Sequence, residues 1–237
     1  MKDEEYLKKY LPKDKLEEGL KKLKEGKPVQ YIVGNVDFYD INLLVNENVL
    51  IPRFETEYLV EKTINYAKQM NHKLDILDIG TGSGAIAITL SKHINSNVTA
   101  TDISKEALLV AKKNAERNHV NITFTQSDIL KNITGKYDLI ISNPPYIDKS
   151  EKIDPLVKNN EPHLALYAKE NGLYFYRNIL ENIKPFLKEK NLIAFEIGMT
   201  QSKQITSIAQ TNFPKAKIIT EKDLTGKDRY IFIFNNF

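Results

Sequence analysis

From residue 74 onward, short apolar runs alternate with segments of helical hydrophobic spacing, and this alternation limits the possible folds more than any other feature. The strand-like runs are 74–79, 98–101, 122–125, 137–142, 192–197, 216–219 and 229–234, and the helical segments are 84–93, 104–118, 171–184 and 200–211. Nearly continuous apolar strands between amphipathic helices predict a mainly parallel sheet covered on both faces. We therefore predict an α/β, doubly wound domain. The last two runs lack a helix between them, which predicts an antiparallel hairpin at the sheet edge.

The first part of the chain has a different pattern. Leucines at helical spacing before Gly26-Lys27-Pro28 predict one or two short helices over 3–25. Near-alternation from Val36 to Leu50 around Asn46-Glu47-Asn48 predicts a β-hairpin, and helical spacing returns from Glu55 to Met70. We therefore expect a short helical segment (1–27), a linker with a β-hairpin (28–54) and the main domain (55–237).

Composition excludes several kinds of protein. The 237 residues include no Cys, so disulfides and cysteine-ligated metals are excluded, and no apolar run approaches the roughly 18 residues that span a bilayer. The start of the chain lacks the apolar core of a secretory signal, and we expect a cytoplasmic monomer without membrane contact. Lysines are scattered rather than clustered with aromatics, so no stable nucleic-acid binding is expected. The four dispersed histidines predict no metal site.

A glycine-rich turn follows the first strand of the main domain. Gly80, Thr81, Gly82, Ser83 and Gly84 stand where that strand passes into a helix, which predicts a nucleotide-type cradle. No Lys-Ser or Lys-Thr follows, so the phosphate-binding loop of NTPases is excluded. The same residues also satisfy the G-x-G-x-x-A pattern, which leaves a dinucleotide-binding dehydrogenase open.

Acidic residues end the next two strands. Asp102 comes about 20 residues after Gly80, where a carboxylate accepts hydrogen bonds from ribose hydroxyls. The alternative is that Asp102 caps helix 104–118, although Ser104 could supply that cap. Asp128 and Ile129, just past the third strand, are further candidates for cofactor binding.

Asn143-Pro144-Pro145-Tyr146 directly follows the strand 137–142 and is the most informative motif. Two prolines fix the backbone and remove two N–H donors. The Asn143 carboxamide oxygen and a proline carbonyl then form an acceptor pair that matches the two hydrogens of an –NH₂ group. Tyr146 offers a flat face for a planar amide or base. The alternative is an ordinary turn after a strand.

With these motifs, the sequence resembles the class I S-adenosylmethionine-dependent methyltransferases that modify planar amino groups, and more closely the release factor glutamine methyltransferase family. The motifs that carry the closer resemblance span 28–234: Pro28-Val29-Gln30-Tyr31-Ile32-Val33-Gly34, Leu50-Ile51-Pro52-Arg53-Phe54-Glu55-Thr56-Glu57, Asn143-Pro144-Pro145-Tyr146-Ile147, Glu161-Pro162 with Leu164-Ala165-Leu166, and Phe195-Glu196-Ile197-Gly198. Family members usually carry an N-terminal domain of several helices. Only about 26 residues precede Pro28 here, and we expect most of that domain to be missing.

The resemblance implies a Rossmann-like fold, S-adenosylmethionine as cofactor, and methylation of the glutamine side-chain amide in the Gly-Gly-Gln motif of class 1 peptide chain release factors. It implies that the glycine turn, Asp102, Asp128, Ile129 and Asn143 bind the cofactor, and that Asn143, Pro144, Pro145 and Tyr146 are the catalytic residues. Arg53 is expected near the site or in an ion pair with Glu55 or Glu57.

Two other functions stay open at this stage. The acceptor pair and Tyr146 also suit an exocyclic amine of adenine or guanine in nucleic acid, although the chain has no room for a target-recognition domain. A dinucleotide-dependent oxidoreductase or a non-catalytic binding module would leave Asn143 to Tyr146 unexplained.

Overall fold

A seven-stranded sheet forms the centre of the molecule, whose computed structural model describes residues 2–237. The spatial order is β5-β4-β3-β6-β7-β9-β8. Strands β3 to β7 are parallel, whereas β9 pairs antiparallel with both β7 and β8. The sheet strands are β3 (Leu74–Ile79), β4 (Ser96–Asp102), β5 (Ile122–Gln126), β6 (Tyr137–Ser142), β7 (Leu187–Glu196), β8 (Lys217–Lys222) and β9 (Asp228–Asn235). The predicted mainly parallel sheet and its antiparallel edge hairpin are confirmed.

Helices cover both faces of this sheet. The helices of this part are α4 (Phe54–Ala67), α5 (Ala85–His93), α6 (Lys105–Arg117), α7 (Pro155–Asn160), α8 (His163–Leu166), α9 (Tyr174–Asn182) and α10 (Ser202–Asn212). One apolar cluster joins α4 and α5 to one face through residues such as Ile76 and Leu139. The other joins α9 and α10 to the opposite face through Leu77 and Ile140. Successive residues of a strand point to opposite faces of the sheet, and here both faces are covered by helices. Successive residues must therefore all be apolar, which explains the nearly continuous apolar runs.

The N-terminal part forms three short helices that pack on one another: α1 (Asp3–Tyr10), α2 (Leu16–Lys24) and α3 (Val29–Val33). The predicted short helices over 3–25 are confirmed, and α3 was not predicted. Leu7 is fully buried among them. Further on, the Tyr31 hydroxyl donates to the Val49 carbonyl at 2.6 Å and so connects α3 to the segment that precedes α4.

The predicted position of the hairpin turn was wrong. The hairpin consists of β1 (Asn35–Phe38) and β2 (Ile41–Leu44), and its turn is Tyr39-Asp40 rather than Asn46-Glu47-Asn48. Asn46 to Val49 does form a turn, but no strand follows it. The earlier turn buries Phe38, Ile41 and Leu43 in the main core. This burial outweighs the local preference for Asn and accommodates Tyr39 at a positive φ of 54°.

Between β6 and α9 the chain forms two further short helices, α7 and α8, which the sequence did not predict. Pro155 occupies the first turn of α7 and the Asp154 side chain caps it, accepting from Leu156 N at 2.8 Å. Among residues 2–237, no helix is long and apolar enough to cross a membrane.

Candidate functional site

A cavity of 410 Å³ lies where the carboxyl ends of β3, β4 and β6 meet. The chain moves outward through β3, β4 and β5 and then returns to place β6 on the other side of β3. Such a change of direction opens a crevice at the carboxyl ends of the strands, which is where open α/β sheets bind ligands. Four segments supply most of its walls: 47–53, 79–86, 102–107 and 142–145.

The glycine turn forms one wall of this cavity. Gly80, Gly82 and Gly84 have positive φ values of 74°, 55° and 86°. A Cβ atom at Gly80 or Gly82 would meet nothing within 4 Å, whereas one at Gly84 would lie 2.9 Å from Ile88 Cδ1. Gly80 to Ser83 line the cavity and Gly84 does not. The first two glycines therefore leave room for a ligand, and the third permits close packing of the chain.

The amide groups of the turn are held by the neighbouring strand β4. The Gly80 and Thr81 N–H groups both donate to the Thr101 carbonyl at 2.8 Å, and the Gly82 N–H donates to Asp102 Oδ2 at 2.9 Å. These bonds attach the turn to the end of β4, so the cradle has a defined shape before any ligand binds.

Asp102 lies at the carboxyl end of β4 and lines the cavity. Its second oxygen accepts from the Ser104 N–H at 2.9 Å, and burial raises the pKa of its carboxyl. The Ser104 hydroxyl caps α6 by accepting from Ala107 N at 3.0 Å. The alternative in which Asp102 supplies that cap is therefore wrong, and its carboxylate has remaining acceptor capacity toward the cavity.

Asp78 is a site feature that the sequence reasoning missed. It lies in β3 directly below the glycine turn and is fully buried. Oδ2 accepts from the Thr81 hydroxyl at 2.6 Å, whereas Oδ1 has no partner within residues 2–237. Burial raises the pKa of this carboxyl to about 7. The available signal was a second carboxylate, besides Asp75, in a mostly apolar strand, two positions before the first glycine.

Asn143, Pro144 and Pro145, which follow β6, form another part of the cavity wall. Asn143 Nδ2 donates to the Thr56 hydroxyl at 3.0 Å, and that hydroxyl donates to Glu196 Oε2 at 2.7 Å. Within residues 2–237, nothing donates to Asn143 Oδ1 or to the Pro144 carbonyl. The predicted acceptor pair therefore lies in a cavity wall with its hydrogen-bonding capacity free. Thr56 also lines the cavity, and neither it nor Glu196 was among the predicted site residues.

Tyr146 is not among the cavity-lining residues. Its ring packs against the cluster beneath α9 and α10, its backbone carbonyl accepts from Gln201 Nε2 at 2.9 Å, and burial raises the pKa of its hydroxyl. The ring therefore packs outside the cavity lining. That it stacks on a planar amide or base of the substrate stays a prediction.

Asp128 and Ile129 also line the cavity. Asp128 pairs with Lys131 at 2.5 Å, and Ile129 adopts a positive φ of 55°. The Ser127 hydroxyl donates to the Ile129 carbonyl at 3.0 Å and holds this bend. Ile129 and Ile103 thus offer apolar contacts next to Asp102, an arrangement that fits a nucleoside with its ribose at the carboxylate.

Arg53 lies at the rim of the cavity, but its partner is Glu161 rather than Glu55 or Glu57. Those alternatives are therefore wrong. Both glutamates lie in the first turn of α4, and neither forms an ion pair with Arg53. Glu161 lies between α7 and α8, so its partner Arg53 is distant in the chain but close in the fold.

Comparisons with known proteins agree with this geometry. The family model described as "Methyltransferase small domain" matches residues 56–165. Release factor glutamine methyltransferase from Lactococcus lactis is 46% identical over 221 residues, covering 92% of this chain and 81% of the relative. The crystal structure of the release factor-specific protein-(glutamine-N5) methyltransferase from Alicyclobacillus acidocaldarius is 27% identical, with a TM-score of 0.51, covering 81% of this chain and 98% of that one. A methyltransferase from Pyrococcus furiosus has the same fold, with a TM-score of 0.65 at 22% identity, covering 84% of this chain and 91% of that one.

Proposed function

Because the chain belongs to the release factor glutamine methyltransferase family, we propose that it methylates the glutamine side-chain amide in the Gly-Gly-Gln motif of class 1 peptide chain release factors. The family and the class I fold imply S-adenosylmethionine as the methyl donor. The observation that carries the proposal is the free acceptor pair of Asn143 and Pro144 in a cavity that also contains an open glycine cradle.

The cofactor assignment rests on the fit of the cavity walls. In this proposal Asp102 accepts hydrogen bonds from the ribose hydroxyls, and Ile103 and Ile129 contact the adenine. The glycine turn would hold the aliphatic part of the cofactor, since Gly80 and Gly82 have open space where a side chain would otherwise stand. S-adenosylmethionine supplies an electrophilic methyl group on a sulfonium sulfur.

The protein's part in the reaction is to orient the amide nitrogen. An amide nitrogen is a poor nucleophile because its lone pair is delocalised into the carbonyl. Two hydrogen bonds, from the –NH₂ group to Asn143 Oδ1 and to the Pro144 carbonyl, fix the nitrogen and favour the electron distribution it needs for attack. With the cofactor bound, a nitrogen–methyl bond would form as the sulfur–methyl bond breaks, and the extra proton on nitrogen would pass to water.

The charge of the cavity favours a protein substrate over a nucleic acid. Its charged lining residues are three acids and one base: Glu47, Asp102, Asp128 and Arg53. A phosphate backbone near this opening would meet net negative charge, which opposes binding. Leu164, by contrast, lines the cavity and is 69% exposed, so it offers apolar surface to a protein segment at the entrance.

The test is mass spectrometry of a purified release factor after incubation with the protein and S-adenosylmethionine. We expect one added methyl group on the Gly-Gly-Gln glutamine and none on a release factor in which that glutamine is Ala. A structured RNA is incubated in parallel. Methyl transfer to the RNA alone, or cofactor binding without transfer to either, would contradict the proposed substrate while leaving the fold unaffected.

A further inference from the structure

We propose that Thr56 and Glu196 are positioning residues that determine which end of the Asn143 carboxamide faces the cavity. The proposal rests on the function proposed above, because the acceptor role of Asn143 Oδ1 matters only if an –NH₂ group is the substrate. The two ends of a carboxamide have nearly the same shape but opposite hydrogen-bonding character. If the Asn143 carboxamide were inverted, its Nδ2 hydrogens would face the hydrogens of the substrate –NH₂ group, and the two groups would repel each other.

Counting the protons in this network determines its direction. The Thr56 hydroxyl has one proton, and it donates this proton to Glu196 Oε2 at 2.7 Å. The same oxygen can then only accept from Asn143, and the atom 3.0 Å away must be Nδ2. Oδ1 is left for the cavity. The Glu196 carboxylate therefore sets the orientation of the Asn143 carboxamide through the Thr56 hydroxyl.

The three residues come from elements that are packed rigidly together. Thr56 lies in the first turn of α4, Glu196 is the last residue of β7, and Asn143 follows β6, which pairs with β7. Thr56 and Glu196 are 5% and 1% exposed. Water cannot easily replace either partner in such a place, so the hydrogen bonds define one arrangement.

The charge of Glu196 depends on several neighbours. Burial raises the pKa of its carboxyl to about 7, and Glu55 adds to this rise. The hydrogen bond from Thr56, the positive charge of Arg229 and the nearby Asn143 carboxamide oppose it. Three tyrosine hydroxyls also interact electrostatically with Glu196, and all three have raised pKa values and stay neutral: Tyr146, Tyr176 and Tyr230.

Protonation of Glu196 would reverse the network. A neutral carboxyl can donate to the Thr56 oxygen, and the Thr56 proton is then free to bond Asn143 Oδ1. This places Nδ2 toward the cavity. Because the carboxylate is the active form, kcat falls as the pH decreases through the pKa of Glu196.

The principal experiment compares Thr56→Val, Thr56→Ser and Thr63→Val in the full chain. Thr63 is a matched control because it is buried on the same helix and its hydroxyl donates to Leu59 O. At saturating S-adenosylmethionine we expect Thr56→Val to lower kcat on the order of 100-fold with unchanged cofactor Kd. Thr56→Ser should restore most of the activity and Thr63→Val should leave kcat unchanged. Equal kcat values in Thr56→Val and Thr63→Val would overturn the proposal.

A pH profile separates this role from a structural one. Wild-type kcat should decrease on the acid side with an apparent pKa near that of Glu196, and Glu196→Gln should abolish this decrease. Burial also raises the pKa of Asp78, near the cradle, to about 7. Saturating cofactor is therefore required, so that a change in cofactor binding caused by Asp78 does not affect the measured rate. If kcat of Glu196→Gln still decreased on the acid side with the same apparent pKa, the proposed role of the Glu196–Thr56–Asn143 network would be contradicted.

A third measurement does not depend on activity. The side-chain N–H signals of Asn143, assigned by their loss in Asn143→Ala, should be protected from exchange in the wild type and unprotected in Thr56→Val. If the wild type fails to methylate the release factor, the proposed function fails, but this NMR comparison still tests whether Thr56 and Glu196 orient the Asn143 carboxamide. Unprotected signals in the wild type would refute this orienting role.

Discussion

Arg53 and Glu161 lie 108 residues apart in the chain and form an ion pair at the rim of the cavity, with Nη2 and Oε1 2.5 Å apart. The second Glu161 oxygen accepts from the Ile51 N–H at 3.1 Å. Glu161 thereby connects the segment before α4 to the segment before α8, and both segments line the cavity. The ion pair closes one side of the site, and its Glu161 is only 4% exposed.

We expect Arg53→Met to destabilise the protein by about 1–3 kcal/mol, because it leaves the Glu161 carboxylate buried with only the Ile51 amide as partner. The range is reduced from that of a fully buried pair because the Arg53 side chain is 33% exposed. Urea unfolding measures the loss. The matched control is Arg177→Met, which breaks the exposed pair with Glu170. Equal losses in the two variants would contradict this account of Glu161.

Gly82→Ala should weaken S-adenosylmethionine binding roughly tenfold or more, because its Cβ would occupy the open cradle. Gly226→Ala is the matched control: it has a positive φ of 81° and open space around it, but lies in the β8–β9 turn. Both variants should lose about 1 kcal/mol of stability from backbone strain. Calorimetric titration with the cofactor distinguishes them, and similar Kd values would show that the cradle does not hold the ligand.

Asn143→Ala should lower methyl transfer by more than ~100-fold while changing cofactor affinity only modestly, since it removes one of the two acceptors that orient the substrate amide. The assay is transfer of labelled methyl to the release factor, with cofactor Kd measured separately. Asn182→Ala, which removes a surface carboxamide on α9, is the control. Normal turnover in Asn143→Ala would disprove the orientation mechanism.

Lys188→Met should destabilise the protein by about 1–2 kcal/mol near neutral pH, because Lys188 Nζ bonds both Asp75 and Asp138, at 2.5 and 2.7 Å. These bonds lower the pKa values of both carboxyls and raise that of Lys188. The stabilisation is therefore present above the ordinary carboxyl pKa of 3.8 and is lost as the pH falls through the lowered values.

Thermal unfolding of wild type and Lys188→Met from pH 3 to 9 tests this prediction. The difference in stability should be constant from about pH 5 upward and should shrink in acid. A difference that grew as the pH decreased would show that these carboxyls are not stabilised as anions in the folded state.

Local patterns were sufficient to predict much of the fold and part of the site. The alternation after residue 74 predicted every strand of the large sheet, and the glycine turn and Asn143-Pro144-Pro145 were located before their surroundings were known. These predictions succeeded because each depends on the conformational limits of a few adjacent residues. The hairpin turn failed for the opposite reason, because burial of Phe38 and Ile41 chose Tyr39-Asp40 over the residues that locally favour a turn.

The sequence by itself determined the strands of the large sheet, the longer helices between them and the backbone groups that can bind a ligand or an –NH₂ group. Only the tertiary structure decided which side chains support those groups. Thr56 lies 87 residues from Asn143 and 140 from Glu196, and the three meet because β6 returns to pair with β3 and β7 while α4 packs on the sheet. Such contacts follow from the order of strands in space, and no spacing along the chain encodes them.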